Sequence, residues 1–176
     1  MELAINEVKI QAKKLLKTLK IDSDLQLAMQ RSLNKLALTS LDELKLKHCL
    51  TIVSQQLGFD NWHHAQCALS GKNKASEPLN MGTFFYPKGS GAFINEWFVN
   101  YQEARNTLTN KAKSKYLLPY KNQFIVVTKD CISLFKLDEE LMLLWADIDH
   151  DLVGSYNSLA WDMLASKIIK NRPRSY

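Results

Sequence analysis

Cysteine, glycine and proline are scarce in this chain of 176 residues, at three, six and four. An odd number of cysteines, Cys49, Cys67 and Cys131, at irregular spacing argues against a disulfide framework and fits a reducing compartment, so a cytoplasmic protein is expected. No CxxC pair is present, and no full dinucleotide or Walker fingerprint, so no cofactor is implied. The longest unbroken apolar run, Leu141 to Ala146, is far short of the ~18 residues a membrane helix requires. The first residues, MELAINEVKIQAKK, have no apolar core of a secretory signal. What is present is an ordinary globular composition, 46% hydrophobic and 23% charged, sufficient for a sizeable core.

The net charge of +5 is unevenly placed. Eleven basic against seven acidic residues precede residue 75, and the remainder is nearly balanced. Lys9, Lys13, Lys17 and Lys20 recur at helical spacing beside Val8, Ala12, Leu15 and Leu19, forming a basic stripe on an amphipathic first helix. Such a stripe keeps a helix solvated, and it can also meet phosphates. With the basic tail at Lys170, Arg172 and Arg174, it is the candidate nucleic-acid surface.

Capping signals divide the first seventy residues into helices. Asp22 and Ser23 open a second helix with Leu25, Leu27, Ala28, Leu33 and Leu36; Ser40 with Glu43 reads as a capping box for a third. That helix ends at Gly58, a left-handed C-cap, after which Asp60 is the expected cap of a short fourth helix burying Trp62, Ala65 and Leu69. Residues 71–81 are poor in large apolar side chains and hold Pro78, placing a domain boundary between a helical module, 1–72, and a second domain, 82–176. In the second, Thr83 to Tyr86 and Gln123 to Thr128 read as strands, and Tyr116 to Leu118 pairs with the latter through a hairpin at residues 119–122. Trp97, Tyr101, Ala104 and Leu108 fit one helix face. Helices after Asp138 and after Asn157 or Ser158 complete the expectation. The predicted fold is α+β: about four short N-terminal helices, then a small antiparallel sheet covered by helices.

Two segments resemble known families. LKHCLTIVSQQLGFDNWHHAQCAL is similar to a small helical module of bacterial proteins marked by Leu57-Gly58-Phe59, two residues, then Trp62. That module accompanies varied partner domains, glyoxalase-like ones among them, and implies no single activity. NEWFVNYQEARNTL together with KYLLPYKNQFIVV resembles a group of bacterial proteins without an assigned activity. The two cover roughly half the chain, and their motifs are core aromatics and turn residues, so no functional residue is carried over.

Several constellations invite chemistry and fit it poorly. Ser54 and Gly58 suggest a helix-turn-helix, yet His64 stands where an aliphatic should lock the second helix, and Trp62 falls where a DNA-facing residue belongs. His63 and Cys67, with His48 and Cys49 on the preceding helix, have zinc-ligand chemistry without zinc-site spacing; a buried Cys49 and exposed histidines are the plainer expectation. Asp147, Asp149 and Asp151 alternate as a calcium loop begins, but Leu152 occupies the turn-glycine position and Ser158 the bidentate-glutamate position. Gly89-Ser90-Gly91 is a turn, and neither Ser90 nor Cys131 has a local motif for nucleophilic catalysis. The expected function is therefore that of a non-catalytic bacterial accessory or regulatory protein that binds another protein. Its candidate aromatics are Phe84, Phe85, Tyr86, Tyr116 and Tyr120. Nucleic-acid binding through the lysine stripe is the alternative, and a metal-dependent hydrolase using His63, Cys67 or the 147–151 run is the third.

Overall fold

The computed structural model describes residues 2–36, 38, 40–71, 80–110 and 115–172. Among them the architecture is α+β, with nine α-helices packed around a three-stranded antiparallel sheet. No helix among the described residues is long and apolar enough to cross a membrane.

Helix α1, Leu3–Leu19, buries Ala4, Ile5, Val8, Ala12, Leu15 and Leu19, the stripe its periodicity predicts. It packs on α4, Leu46–Gln56, and on α9, Leu159–Asn171. Asp162 of α9, itself buried, accepts from the Leu3 and Ala4 amides at 2.9 and 3.0 Å, satisfying two orphan donors at the start of α1. The expected second helix is broken at the buried Met29 into α2, Ser23–Ala28, and α3, Gln30–Asn34; Asp22 caps α2 as expected. Ser40 and Glu43 do not open a long helix. They bracket a 3-10 turn at Leu41–Glu43, and α4 starts after Lys45, whose amide donates to His48 Nδ1 at 3.1 Å. Helix α5, Trp62–Leu69, is capped by Asn61, not Asp60; Asn61 Oδ1 accepts from the His64 amide at 2.9 Å.

The sheet has the order β1-β3-β2, with β1 at Asn95–Phe98, β2 at Lys115–Tyr120 and β3 at Gln123–Thr128. The hairpin forms where predicted, its two-residue turn using Lys121 at positive φ. Two expectations fail nearby. Thr83 to Tyr86 is a run of turns, because Gly82 bends the chain at φ 53° and both Phe84 and Phe85 enter the core, a pair that alternation cannot place on one face. Trp97 lies in β1, opposite Ile125, and not on the helix that buries Ala104. That helix, α6, spans Tyr101–Asn110, and Asn100 Oδ1 accepts from the Gln102 and Glu103 amides at 2.8 and 3.2 Å.

One sheet face, with Tyr116, Leu118, Ile125 and Val127, joins the main core; the other, with Leu117 and Val126, packs on Ala104 of α6. The main buried cluster draws Val8, Ile52 and Leu69 together with Phe85, Trp145, Trp161 and Ile168, from either side of the expected boundary. The boundary segment itself, 72–79, lies outside the described residues. Helices α7, Lys129–Ser133, and α8, Glu139–Asp147, complete the fold; Asp138 caps α8 and Ser158 caps α9 through side-chain bonds at 3.1 Å each.

Candidate functional site

Three features stand out, and their geometry separates structural work from contact with the outside. The first is the edge strand β1. A β-strand presents ladder groups on both sides, and an uncovered edge is a template for another strand. The two edges of this sheet are treated differently. Beyond β2, the Leu117 amide donates to the His150 carbonyl at 2.9 Å and the Leu152 amide to the Leu117 carbonyl at 3.0 Å, so the 150–152 segment occupies that edge. Beyond β1 no further strand pairs among the described residues. Exposed apolar side chains lie on β1 and at its two ends, Trp97 at 46% and Ile94 and Val99 at 83% and 78%, beside Asn95 and Glu96, the latter paired with Lys115 of β2. Trp97 is not loose, because its ring lies 5.5 Å from Tyr86 and 5.1 Å from Tyr120, which are 5.2 Å apart. Asn95 Nδ2 donates to the Tyr86 hydroxyl at 3.2 Å, and Lys121 Nζ stands 5.6 Å from the Tyr120 ring centroid. The result is a preorganised aromatic cluster beside a strand edge that pairs with no other strand among the described residues. Of the five aromatics named from the sequence, Phe84, Phe85 and Tyr116 are consumed by the core, and Tyr86 and Tyr120 remain.

The second feature is the acidic run. Asp149 and His150 both take positive φ, 50° and 58°, and this reversal delivers Asp151 against β2. Asp151 is only 2% exposed. Its Oδ2 accepts from the Tyr101 hydroxyl at 2.7 Å and Arg105 Nη1 at 3.0 Å; its Oδ1 accepts from the Val153 and Gly154 amides, both at 2.9 Å. Arg105 also reaches Asp149 at 3.3 Å. Burial, and then the bond to Asp151, push the Tyr101 phenol up to about 12. The His150 ring packs 4.7 Å from Tyr116, and burial lowers its pKa. The carboxylates that suggested calcium thus line a cleft of about 290 Å³ with an arginine inside it, and they tie α6 to the loop after α8.

The third feature is the pair on α5. His63 Nε2 lies 3.7 Å from Cys67 Sγ, in a cleft of about 250 Å³ whose walls include Glu2, Ile5 and Lys9 of the α1 region. The other members of the imagined zinc set are elsewhere. Cys49 is fully buried, burial pushing its thiol up to about 11, and His48 closes the start of α4. Among the described residues, no three His, Cys, Asp or Glu side chains are placed to share a metal. His64 is half-buried: its Nε2 bonds the Asn80 carbonyl at 2.9 Å, and its Nδ1 faces Asp60, 3.0 Å from the carboxylate and 3.2 Å from the amide. It thereby locks α5 by hydrogen bonding where a helix-turn-helix would use an aliphatic. Ser90 and Cys131 meet in the interior, and burial raises the Cys131 thiol.

The basic residues divide as well. Lys13, Lys17, Lys20 and Lys170 are exposed, and Lys9 is half-buried in the cleft beside α5. Arg172 donates to the Leu57 carbonyl at 2.8 Å and to the Phe84 carbonyl, with its guanidinium over the Phe84 ring; burial lowers its pKa to about 10. Its fork is thus committed to main-chain oxygens. Arg174 lies outside the described residues.

Compared with family models, with curated proteins and with solved structures, the chain matches none.

Proposed function

We propose that this chain is a non-catalytic accessory or regulatory protein that binds a partner protein by accepting an extended segment of it along β1. The observation that carries this reading is the asymmetry of the sheet: the β2 edge is occupied by the chain's own 150–152 segment, and the β1 edge pairs with no strand among the described residues and carries exposed Trp97, with exposed Ile94 and Val99 at its ends. Strand addition draws affinity from main-chain hydrogen bonds and selectivity from alternate side chains. Here Trp97, buttressed by Tyr86 and Tyr120, supplies a rigid aromatic anchor that loses little entropy on binding.

The test uses peptides selected from a displayed library against the intact chain. They are expected to be extended and apolar at alternate positions, and Ile94→Asp combined with Val99→Asp is expected to weaken the selected peptide at least about tenfold. Both side chains project into solvent, so the fold, checked by circular dichroism, is retained. Equal affinities for both proteins would remove this surface from consideration.

A second reading has its own support. Lys13, Lys17 and Lys20 project from one helix, and no carboxylate pairs with them among the described residues. Backbone neutralisation by such a stripe is expected to be sequence-indifferent and strongly salt-dependent. With about three phosphate contacts, affinity for duplex DNA falls roughly fortyfold for an about fourfold rise in salt. Failure to retain DNA or RNA at about 50 mM salt excludes this reading.

A further inference from the structure

We infer that Cys67 is a modification site, the one thiol of this chain that exchanges with a small, zwitterionic, peptide-like disulfide seated in the cleft between α1 and α5. Three placements lead to this. Cys67 lies in the wall of an open cleft of about 250 Å³, while Cys49 and Cys131 are fully buried and unreachable without unfolding. His63 Nε2 stands 3.7 Å from Cys67 Sγ, one helical turn away, close enough to take its proton. The cleft is lined from the α1 region by Glu2 and Lys9, one residue of each charge, which suits a ligand with both an ammonium and a carboxylate such as an amino-acid end.

The exchange balances without any further reactant. The Cys67 thiol gives its proton to His63 Nε2, and Sγ attacks one sulfur of the disulfide. A Cys67–sulfur bond forms as the original S–S bond breaks, and the departing thiolate takes the proton from His63 and leaves as a thiol. Cys67 is oxidised to the mixed disulfide, and half of the small molecule is reduced. His63 is needed because Cys67 sits in the last turn of α5, where carbonyl oxygens, not amide hydrogens, face it. An added group there would stand between α1 and α5, so modification would act on the helical half, away from β1.

The probe is oxidised glutathione, incubated with the folded full chain and followed by intact-mass and peptide mass spectrometry. A single adduct at Cys67 is expected, abolished in Cys67→Ser. In His63→Gln, an exposed site that leaves packing intact, the rate should fall at least about tenfold. In Lys9→Gln the rate should fall with oxidised glutathione and stay unchanged with uncharged hydroxyethyl disulfide. Labelling at Cys49 or Cys131, no adduct on the folded chain, or equal rates for wild type and His63→Gln would overturn the assignment. These outcomes are independent of whether β1 binds a strand.

Discussion

Replacing Asp151 by alanine is expected to remove about 3–5 kcal/mol of folding stability, the cost of deleting one member of a buried, hydrogen-bonded charge pair. Four donors lose their acceptor together: the Tyr101 hydroxyl, Arg105 Nη1 and the amides of Val153 and Gly154. Arg105 keeps Asp149, which is exposed and therefore a weak substitute. The adjoining cleft lets water reach part of the wound, which argues for the lower end of that range. Asp151→Asn should cost less. Its amide oxygen still accepts from Val153 and Gly154, but its NH2 faces the Tyr101 and Arg105 donors. Tyr101→Phe, removing one donor to a charged acceptor, should cost about 1.5–3 kcal/mol. Urea denaturation of the three variants tests the order. An Asp151→Ala protein within about 1 kcal/mol of wild type would mean that the network contributes nothing net.

That network also marks where the sequence stops being readable. The run Asp147, Asp149, Asp151 is visible in one dimension, but its partner Arg105 lies on another element, and no local pattern joins them. The hairpin was legible because its alternating segments and turn are adjacent in the chain, as were the caps Asp22, Asp138 and Ser158, whose bonds reach only three residues. β1 was not. Trp97 stands four residues before Tyr101, so a helical spacing swallowed the strand, although Asn100 with Glu103 three residues on is a start signal that separates the two. Missing β1 meant missing the terminal strand of the sheet, since exposure of Ile94 and Val99 has meaning only once the strand order is known. The pair His63 and Cys67 was legible as a spacing, because helical geometry fixes it; the cleft facing it required the packing of α1 on α5.

Gly58→Ala is expected to cost about 3 kcal/mol or more, from the left-handed backbone and main-chain overlap together. The helix end is a Schellman turn: the Gly58 amide donates to the Gln55 carbonyl and the Phe59 amide to the Ser54 carbonyl, both at 3.0 Å. This requires positive φ at Gly58, which is 97°. Space is equally restrictive. A Cβ on Gly58 would lie 2.3 Å from Thr83 Oγ1 and 3.0 Å from the Thr83 carbonyl carbon, while one on Gly82 would lie 2.2 Å from the Gly58 oxygen. The Thr83 amide donates to that same oxygen at 2.9 Å, and Phe59 stacks on Phe84 with centroids 5.3 Å apart. Leu57-Gly58-Phe59 therefore works as a seam: its glycine lets two main chains touch, and its phenylalanine seals the junction from inside. Two consequences follow for measurement. Gly82→Ala should destabilise to a similar degree, and the double variant should cost less than the two single costs added, because the first substitution already parts the segments. Additive costs, or a Gly58→Ala protein within about 1 kcal/mol of wild type by denaturant titration, would show that residues 82–84 do not depend on this approach.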